Sequence, residues 1–403
     1  MDGNTLSSPT PFTPPTTEED RLAWLRLIRS RRVGPSTFLR LMSEHDSVHD
    51  ALDALPAIAR AAGVADYAPC PADMARREIE AGLKAGARLV MLGMPDYPLP
   101  LAAIPDPPPV LWLRGRAQVM ARPGVALVGA RNASSLGARM TRRLAEGLGY
   151  HGYCVVSGLA RGIDTVAHGG ALKTGTIAVM AGGVDVIYPA ENAVLGAAIA
   201  DQGLLVSEQP VGLQPQARHF PRRNRLIAGL SRAVIVVEAA EGSGSLITAR
   251  DALDQGREVM AVPGHPMDAR AAGCNALLRE GARLVRGVED IIDALNEGSE
   301  PPVARPDRMA TEGSGAKAPP AKAPPAKAGP GAAVRSGAPG TGSPPDMLTL
   351  HRMILDRLGA APVAEDQLLR DLDLPHPVVA PALLFLELDG RVQRQPGGML
   401  ARI

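Results

Sequence analysis

Val125-Ala126-Leu127-Val128-Gly129-Ala130-Arg131-Asn132-Ala133-Ser134-Ser135-Leu136-Gly137 is a short apolar run that breaks at a glycine into a loop of small residues carrying one arginine. A strand apolar along its whole length is buried on both faces, the condition of a strand in a parallel sheet covered by helices. The pattern recurs to either side. Runs at 89–92, 154–157, 177–180, 204–207, 234–238 and 259–262 are short, apolar and rich in β-branched residues, and amphipathic stretches of helical period separate them. Strand, helix and strand in repetition predict an α/β fold, with a doubly wound Rossmann-like core over 88–297.

Before that core, 20–87 places Leu22, Leu25, Leu27 and Ile28 at helical spacing, breaks at Val33-Gly34-Pro35, and resumes at Phe38, Leu39, Leu41 and Met42. This predicts a small helical domain of the SAM or helix-hairpin-helix kind, whose hairpins are more often packing units than ligand sites. Residues 1–19 are rich in Thr, Pro and Ser and have neither a basic start nor an apolar centre. They are expected to be disordered and not a signal peptide. Residues 298–346 are built from Pro, Ala, Gly and Ser, with a near-repeat of Ala-Lys-Ala-Pro-Pro. Such a segment cannot bury a core and is expected to act as a linker. The last segment, 347–403, reads as three short helices (347–358, 363–371, 378–388) and a hairpin at 391–400 with a Pro-Gly-Gly turn, which is a winged-helix pattern. Its third helix holds no Arg or Lys, which argues against duplex reading and for protein docking or self-association.

A chain of 403 residues is expected to form two or three domains. Its formal net charge of +1 excludes a uniformly basic coat, so any affinity for nucleic acid must come from a local patch. One such patch is Arg-His-Phe-Pro-Arg-Arg-Asn-Arg at 218–225, four guanidinium groups around Phe220 in a chain with only 3% aromatic residues. Guanidinium forks grip phosphate oxygens, and a phenylalanine ring lets an unstacked base of any identity rest on it. Cys70, Cys154 and Cys274 are far apart and lack metal-site spacing, which argues against a disulfide framework and a zinc site and fits a reducing cytoplasm. No stretch is long enough to span a bilayer.

Ligands of doubly wound sheets sit beyond the carboxyl ends of the strands, where loops feed helix N-termini. Four loops there carry suitable residues: 129–137 with Gly129 and Arg131, 157–164 with Ser157, Gly158 and Arg161, 241–249 with Ser243, Gly244 and Ser245, and the basic run, expected to open a helix at 226–230. The first loop lacks G-x-G-x-x-G spacing, and the next strand ends in Ser157-Gly158 where a ribose-binding acid would stand, which argues against NAD. There is no phosphate-binding G-x-x-x-x-G-K-[ST] motif either. Asp164 and His168, four apart, lack a third partner for metal or proton chemistry and are read as a helix N-terminal acid and a satisfied interior side chain. No cofactor and no catalytic residue are expected.

Ser157-Gly158-Leu159-Ala160-Arg161-Gly162-Ile163-Asp164 with Ala167-His168, Tyr188-Pro189, Ser207-Glu208, Phe220-Pro221-Arg222-Arg223-Asn224-Arg225-Leu226-Ile227-Ala228-Gly229-Leu230, and Val262-Pro263-Gly264 with Gly273-Cys274-Asn275 together resemble the DNA-processing protein A family (DprA, also called Smf). The resemblance covers essentially the whole chain. It implies binding of incoming single-stranded DNA in natural transformation, loading of the RecA recombinase in place of single-strand-binding protein, homodimerisation through the Rossmann domain, and no established catalysis. Carried over by motif, it implies DNA contacts at Gly129, Arg131, Ser157, Gly158, Arg161, Phe220, Arg222, Arg223, Arg225, Ser243, Gly244 and Ser245. Ala130 stands where the family commonly has serine. The alternative is a Rossmann nucleotide hydrolase of the lysine-decarboxylase-like group, but Thr248 stands near where that group's glutamate would be wanted.

Overall fold

The computed structural model describes residues 13–297 and, in the C-terminal part, 347–358, 363–372, 374, 379, 382–383, 386–387, 391–395 and 399–402. The linker expected at 298–346 and most of the third helix expected at 378–388 lie outside the described residues. The chain divides into two compact units, Met1–Ser299 and Glu300–Ile403.

In the first unit α1 (Glu18–Arg29), α2 (Pro35–Glu44), α3 (Val48–Ala61) and α4 (Ala72–Lys84) precede β1 (Arg88–Met91), α5 (Leu99–Ala102), β2 (Val110–Gly115), β3 (Gly124–Val128), α6 (Ser135–Tyr150), β4 (Cys154–Ser157), α7 (Ile163–Ala171) and β5 (Thr176–Val179). There follow α8 (Ala193–Gln202), β6 (Leu204–Ser207), α9 (His219–Gly229), β7 (Ala233–Val236), α10 (Gly244–Asp254), β8 (Glu258–Ala261), α11 (Ala272–Arg279), β9 (Arg283–Leu284) and α12 (Val288–Glu297). Residues 13–19 of the stretch expected to be disordered are described here, and α1 already begins within it. Thr17 and Asp20 form a reciprocal capping box that starts α1 at Glu18.

One sheet holds all nine strands in the order β1-β2-β6-β5-β4-β3-β7-β8-β9. From β6 to β9 every pairing is parallel. The run at 89–92 is a correction to the all-parallel expectation: β1 pairs antiparallel with β2, and β2 antiparallel with β6, making a mixed sheet with a reversed edge. Side chains alternate between two buried faces. Ala126, Val128, Val156, Val179, Val234 and Val236 face a core shared with α9, α10, α11 and the N-terminal helices. Val125, Leu127, Val155, Ala233 and Ile235 face the opposite core with α6, α7 and α12. Burial on both sides explains why each central strand lacks the polar alternation of a half-exposed one.

The N-terminal helices are fastened to the reversed edge by a buried polar clamp. Arg29 of α1 grips both oxygens of Glu78 on α4, at 2.9 and 2.8 Å, and donates to the Glu208 carbonyl at 3.2 Å. The Trp112 indole on β2 donates to the same Glu78 carboxylate at 2.9 Å.

The second unit contains α13 (Met347–Arg357), β10 (Val363–Ala364), α14 (Glu365–Leu372), β11 (Val392–Gln395) and β12 (Met399–Arg402). Its three strands order as β10-β12-β11, all antiparallel. Leu350, Ile354, Leu368, Val379, Leu383, Leu386 and Leu400 make its core. Helices closed by a β hairpin on this core give the winged-helix fold.

Candidate nucleic-acid interface

Beyond the carboxyl ends of β3 and β7 the direction of winding reverses, and the loops that follow these two strands part to leave a crevice. A cleft of about 490 Å³ opens there. It is lined by Gly129, Arg131, Phe220, Arg223 and the Ser243–Ser245 start of α10, with Arg270 at its rim.

Helix α9 decides which arginines reach it. The helix begins at His219 and contains the basic run, where the sequence led us to expect a loop before a helix at 226–230. Pro221 is accommodated because it falls in the first turn, where its missing N–H has no intrahelical partner to lose. Each helical residue is rotated by about 100° from the one before, so neighbours in sequence diverge while residues three and four apart stay together. Phe220, Arg223, Asn224 and Ile227 accordingly share the cleft face. Arg222 and Arg225 face another cavity, near Val33-Gly34-Pro35 of the N-terminal helices. The four guanidinium groups expected around Phe220 are thus divided.

Arg225 corrects the sequence-based assignment most clearly. It donates to the Asp106 carbonyl at 2.6 Å, pairs with the Asp106 carboxylate at 3.3 Å and binds Glu208, with only 13% of its side chain exposed. Its fork is committed internally. Arg223 is 6% exposed and donates to the carbonyls of Gly158 at 2.5 Å and Val179 at 2.6 Å. Burial lowers its pKa to about 10, with Asp164 nearby opposing the shift. It braces the loops after β4 and β5 from below while one side lines the cleft floor.

Ser157 and Gly158 also serve the scaffold. Ser157 is fully buried and its hydroxyl donates to the Leu127 carbonyl at 2.7 Å. A side chain at Gly158 would overlap the Arg223 guanidinium, so glycine is what lets that arginine in. Gly162, at φ +82°, lies against the Ala130 and Arg131 carbonyls and ties the second loop to the first.

The open wall is made by Arg131, Phe220 and the α10 terminus. The Arg131 guanidinium lies 5.4 Å above the centre of the Phe220 ring, a cation–π contact. The Tyr188 ring is 5.8 Å from Phe220. Arg161 is exposed, donates to the Arg131 carbonyl at 3.4 Å and sits 3.8 Å from Glu191. Ser243 caps α10 by accepting from the Ser245 amide at 3.4 Å, and the two hydroxyls lie 2.8 Å apart. Space beside Gly244 is open. Among the described residues, no carboxylate pairs with Arg131, Arg218 or Arg222, whereas Arg270 is held by Asp268 at 3.0 Å.

The first loop differs from the simple phosphate cradle. Glu238 accepts from the Ser134 amide at 2.8 Å and also binds the Ser134 hydroxyl, so a carboxylate already occupies the start of α6. Sequence reading missed this residue. Its signal is an acid at the end of an otherwise apolar strand, at the point where winding reverses. Tyr188 was missed as a neighbour of Phe220 because 32 positions separate them.

Asp164 and His168 are interior groups. Asp164 accepts from the Gly158 and Ala160 amides at 3.1 and 3.3 Å, while burial raises its pKa. His168 accepts from the Leu159 amide at 3.3 Å through Nε2, and its Nδ1 lies 2.7 Å from the Thr176 hydroxyl, which donates to the Val155 carbonyl at 2.8 Å. That pattern fixes a neutral ring with its proton on Nδ1. Burial lowers its pKa to about 3.

Fold and cleft define a Rossmann-type core with a cationic, aromatic crevice at its switch point, preceded in the chain by a helix-hairpin-helix domain and followed by a winged-helix domain. The family model for DNA recombination-mediator protein A matches residues 88–296, that for the DprA-like N-terminal HHH domain 18–81, and that for the DprA winged helix domain 338–398. The chain belongs to this DprA/Smf family. It is 36% identical to Protein Smf of Synechocystis over 75% of this chain and 77% of the relative. It is 42% identical to the DNA processing protein DprA of Bacillus subtilis over 55% of this chain and 75% of that protein. The crystal structure of DNA processing protein A from Streptococcus pneumoniae superimposes with a TM-score of 0.58 at 33% identity, covering 69% of this chain and 98% of that one.

Proposed function

We propose that this protein binds single-stranded DNA along the carboxyl edge of its sheet and, as a homodimer, passes that strand to the RecA recombinase in place of single-strand-binding protein. Family membership supports the recombination setting. The observation that carries the reading is the Arg131–Phe220 pair set beside the α10 terminus in the crevice, with Arg131 unpaired by any carboxylate among the described residues. A half-buried ring beside an exposed guanidinium suits an unstacked base and its phosphate, and neither group reads base identity. Duplex DNA keeps its bases stacked inside and cannot use the ring.

We read the protein as a binder without catalysis. His168 is neutral with both ring nitrogens engaged, Ser157 is buried, and Ser243 and Ser245 bond each other. On the α10 face where a hydrolase would need a carboxylate, Thr248 is 2% exposed.

Fluorescence anisotropy with single-stranded and duplex oligonucleotides over a salt series tests this. Arg131, without a carboxylate partner among the described residues, and Arg161, only loosely paired with Glu191 at 3.8 Å, correspond to a slope of log K against log salt of about −1.4 per protomer for a single strand. Preference for the single strand with that slope is expected. Equal or tighter binding of duplex would refute the reading.

A further inference from the structure

Tyr188 is 48% exposed, although it sits against another aromatic ring in a chain with four phenylalanines, five tyrosines and two tryptophans. It leaves the sheet in the loop after β5, whereas Phe220 comes from α9 after β6 and Arg131 from the loop after β3. Three separate crossovers therefore bring a guanidinium and a second ring against Phe220. Arg131 lies 5.4 Å from the Phe220 centroid and Tyr188 5.8 Å, with 52° between the two ring planes.

We propose that Tyr188 is a second base platform, receiving a nucleotide next to the one held at Phe220; this rests on the single-strand reading of the cleft. A base sandwiched between two rings needs van der Waals contact on both sides, a centroid separation of about 7 Å. At 5.8 Å and a tilt of 52°, nothing can slip between Phe220 and Tyr188. The bases must use the outer faces of the two rings, and Tyr188, 48% exposed, offers an open one.

The direction of the strand follows from the sheet. Neighbouring strands are about 4.8 Å apart, so the path from the loop after β7 to that after β5, across β3 and β4, spans roughly 14 Å. The α10 amides begin this path, Arg131 and Arg161 flank it, and Tyr188 ends it. Charge changes along the way. Arg161 is partly neutralised by Glu191 at 3.8 Å, beside the Tyr188 loop. That end is accordingly poorer in free positive charge and better suited to a base than to a phosphate.

The test uses the full chain and a labelled oligothymidylate of about twenty nucleotides, with an abasic strand of equal length beside it. Tyr188→Ala should weaken binding by about 5- to 150-fold. Tyr188→Phe and Tyr188→Trp should bind like the wild type, and the Tyr188→Ala penalty should disappear on the abasic strand. Thermal melts of all variants check folding. A normal affinity for Tyr188→Ala alongside a weakened Phe220→Ala would overturn the second platform and leave the single-strand reading intact. A Tyr188→Ala penalty equally large on the abasic strand would assign the ring to packing and overturn the proposal in the same way. If the wild type shows no preference for single strands and Phe220→Ala changes nothing, the single-strand reading itself fails and carries this one with it.

Discussion

Replacing Arg225 by alanine removes a guanidinium held by the Asp106 carbonyl, the Asp106 carboxylate and Glu208, and leaves Glu208, whose pKa burial already raises, without its cation. Stranding a buried charge in this way costs about 3–5 kcal/mol. Arg131, exposed and without a carboxylate partner among the described residues, has no such structural debt. The two variants should separate cleanly: Arg225→Ala should unfold at markedly lower denaturant while retaining the salt slope of DNA binding, and Arg131→Ala should melt normally with weaker binding and a flatter slope. Chemical denaturation alongside anisotropy decides this, and the reverse assignment of effects would show that Arg225 reaches the ligand. Nothing in the sequence distinguishes these arginines, because the distinction lies in partners 17 and 119 positions away.

At the scale of elements, strands were legible because both faces of the sheet are covered, which leaves short apolar runs with nothing polar between. Helix α9 was not. Pro221 and the crowd of charges resemble a loop, and only the first-turn placement of the proline reconciles them with a helix that sends Phe220 and Arg225 to different sides. Strand β2 follows the proline-rich 105–109 and reverses direction, and β9 is two exposed residues long, so neither has a parallel-strand signature. The interior contact of α7 with β5 through His168 and Thr176 gives a measurable pH dependence. The folded ring stays neutral down to about pH 3, whereas the unfolded ring protonates near pH 6.5. Between those values the unfolded chain holds the extra proton, so this histidine's contribution is lost as pH falls, by about 1.4 kcal/mol per unit. Asp251, raised to about 6 by burial, acts in the opposite sense over its own range. The comparison must therefore be with His168→Gln: the stability gap between wild type and variant should shrink from pH 7 to pH 4. Parallel stability curves would show that His168 is protonated in the folded protein.

Across the whole first unit, Arg225, Arg223 and Arg29 are structural cations that knit the helical domain, the reversed sheet edge and the loop bases together. In the crevice, Arg131 is exposed and has no carboxylate partner among the described residues, which leaves it available to a ligand. The position of the crevice was legible because switch-point geometry follows from strand order. Its interior was not, because Glu238 fills the α6 terminus and Gly158 admits a buried arginine, contacts made only when distant loops meet. The central claim is that an unpaired strand lies across this edge with its bases on Phe220 and Tyr188. Photo-crosslinking with 5-iododeoxyuridine placed along a single-stranded oligonucleotide, followed by peptide mapping, tests it most directly. Adducts on Phe220 and Tyr188 are predicted; adducts confined to the N-terminal helices or to 347–402, with none on these two rings, would contradict it.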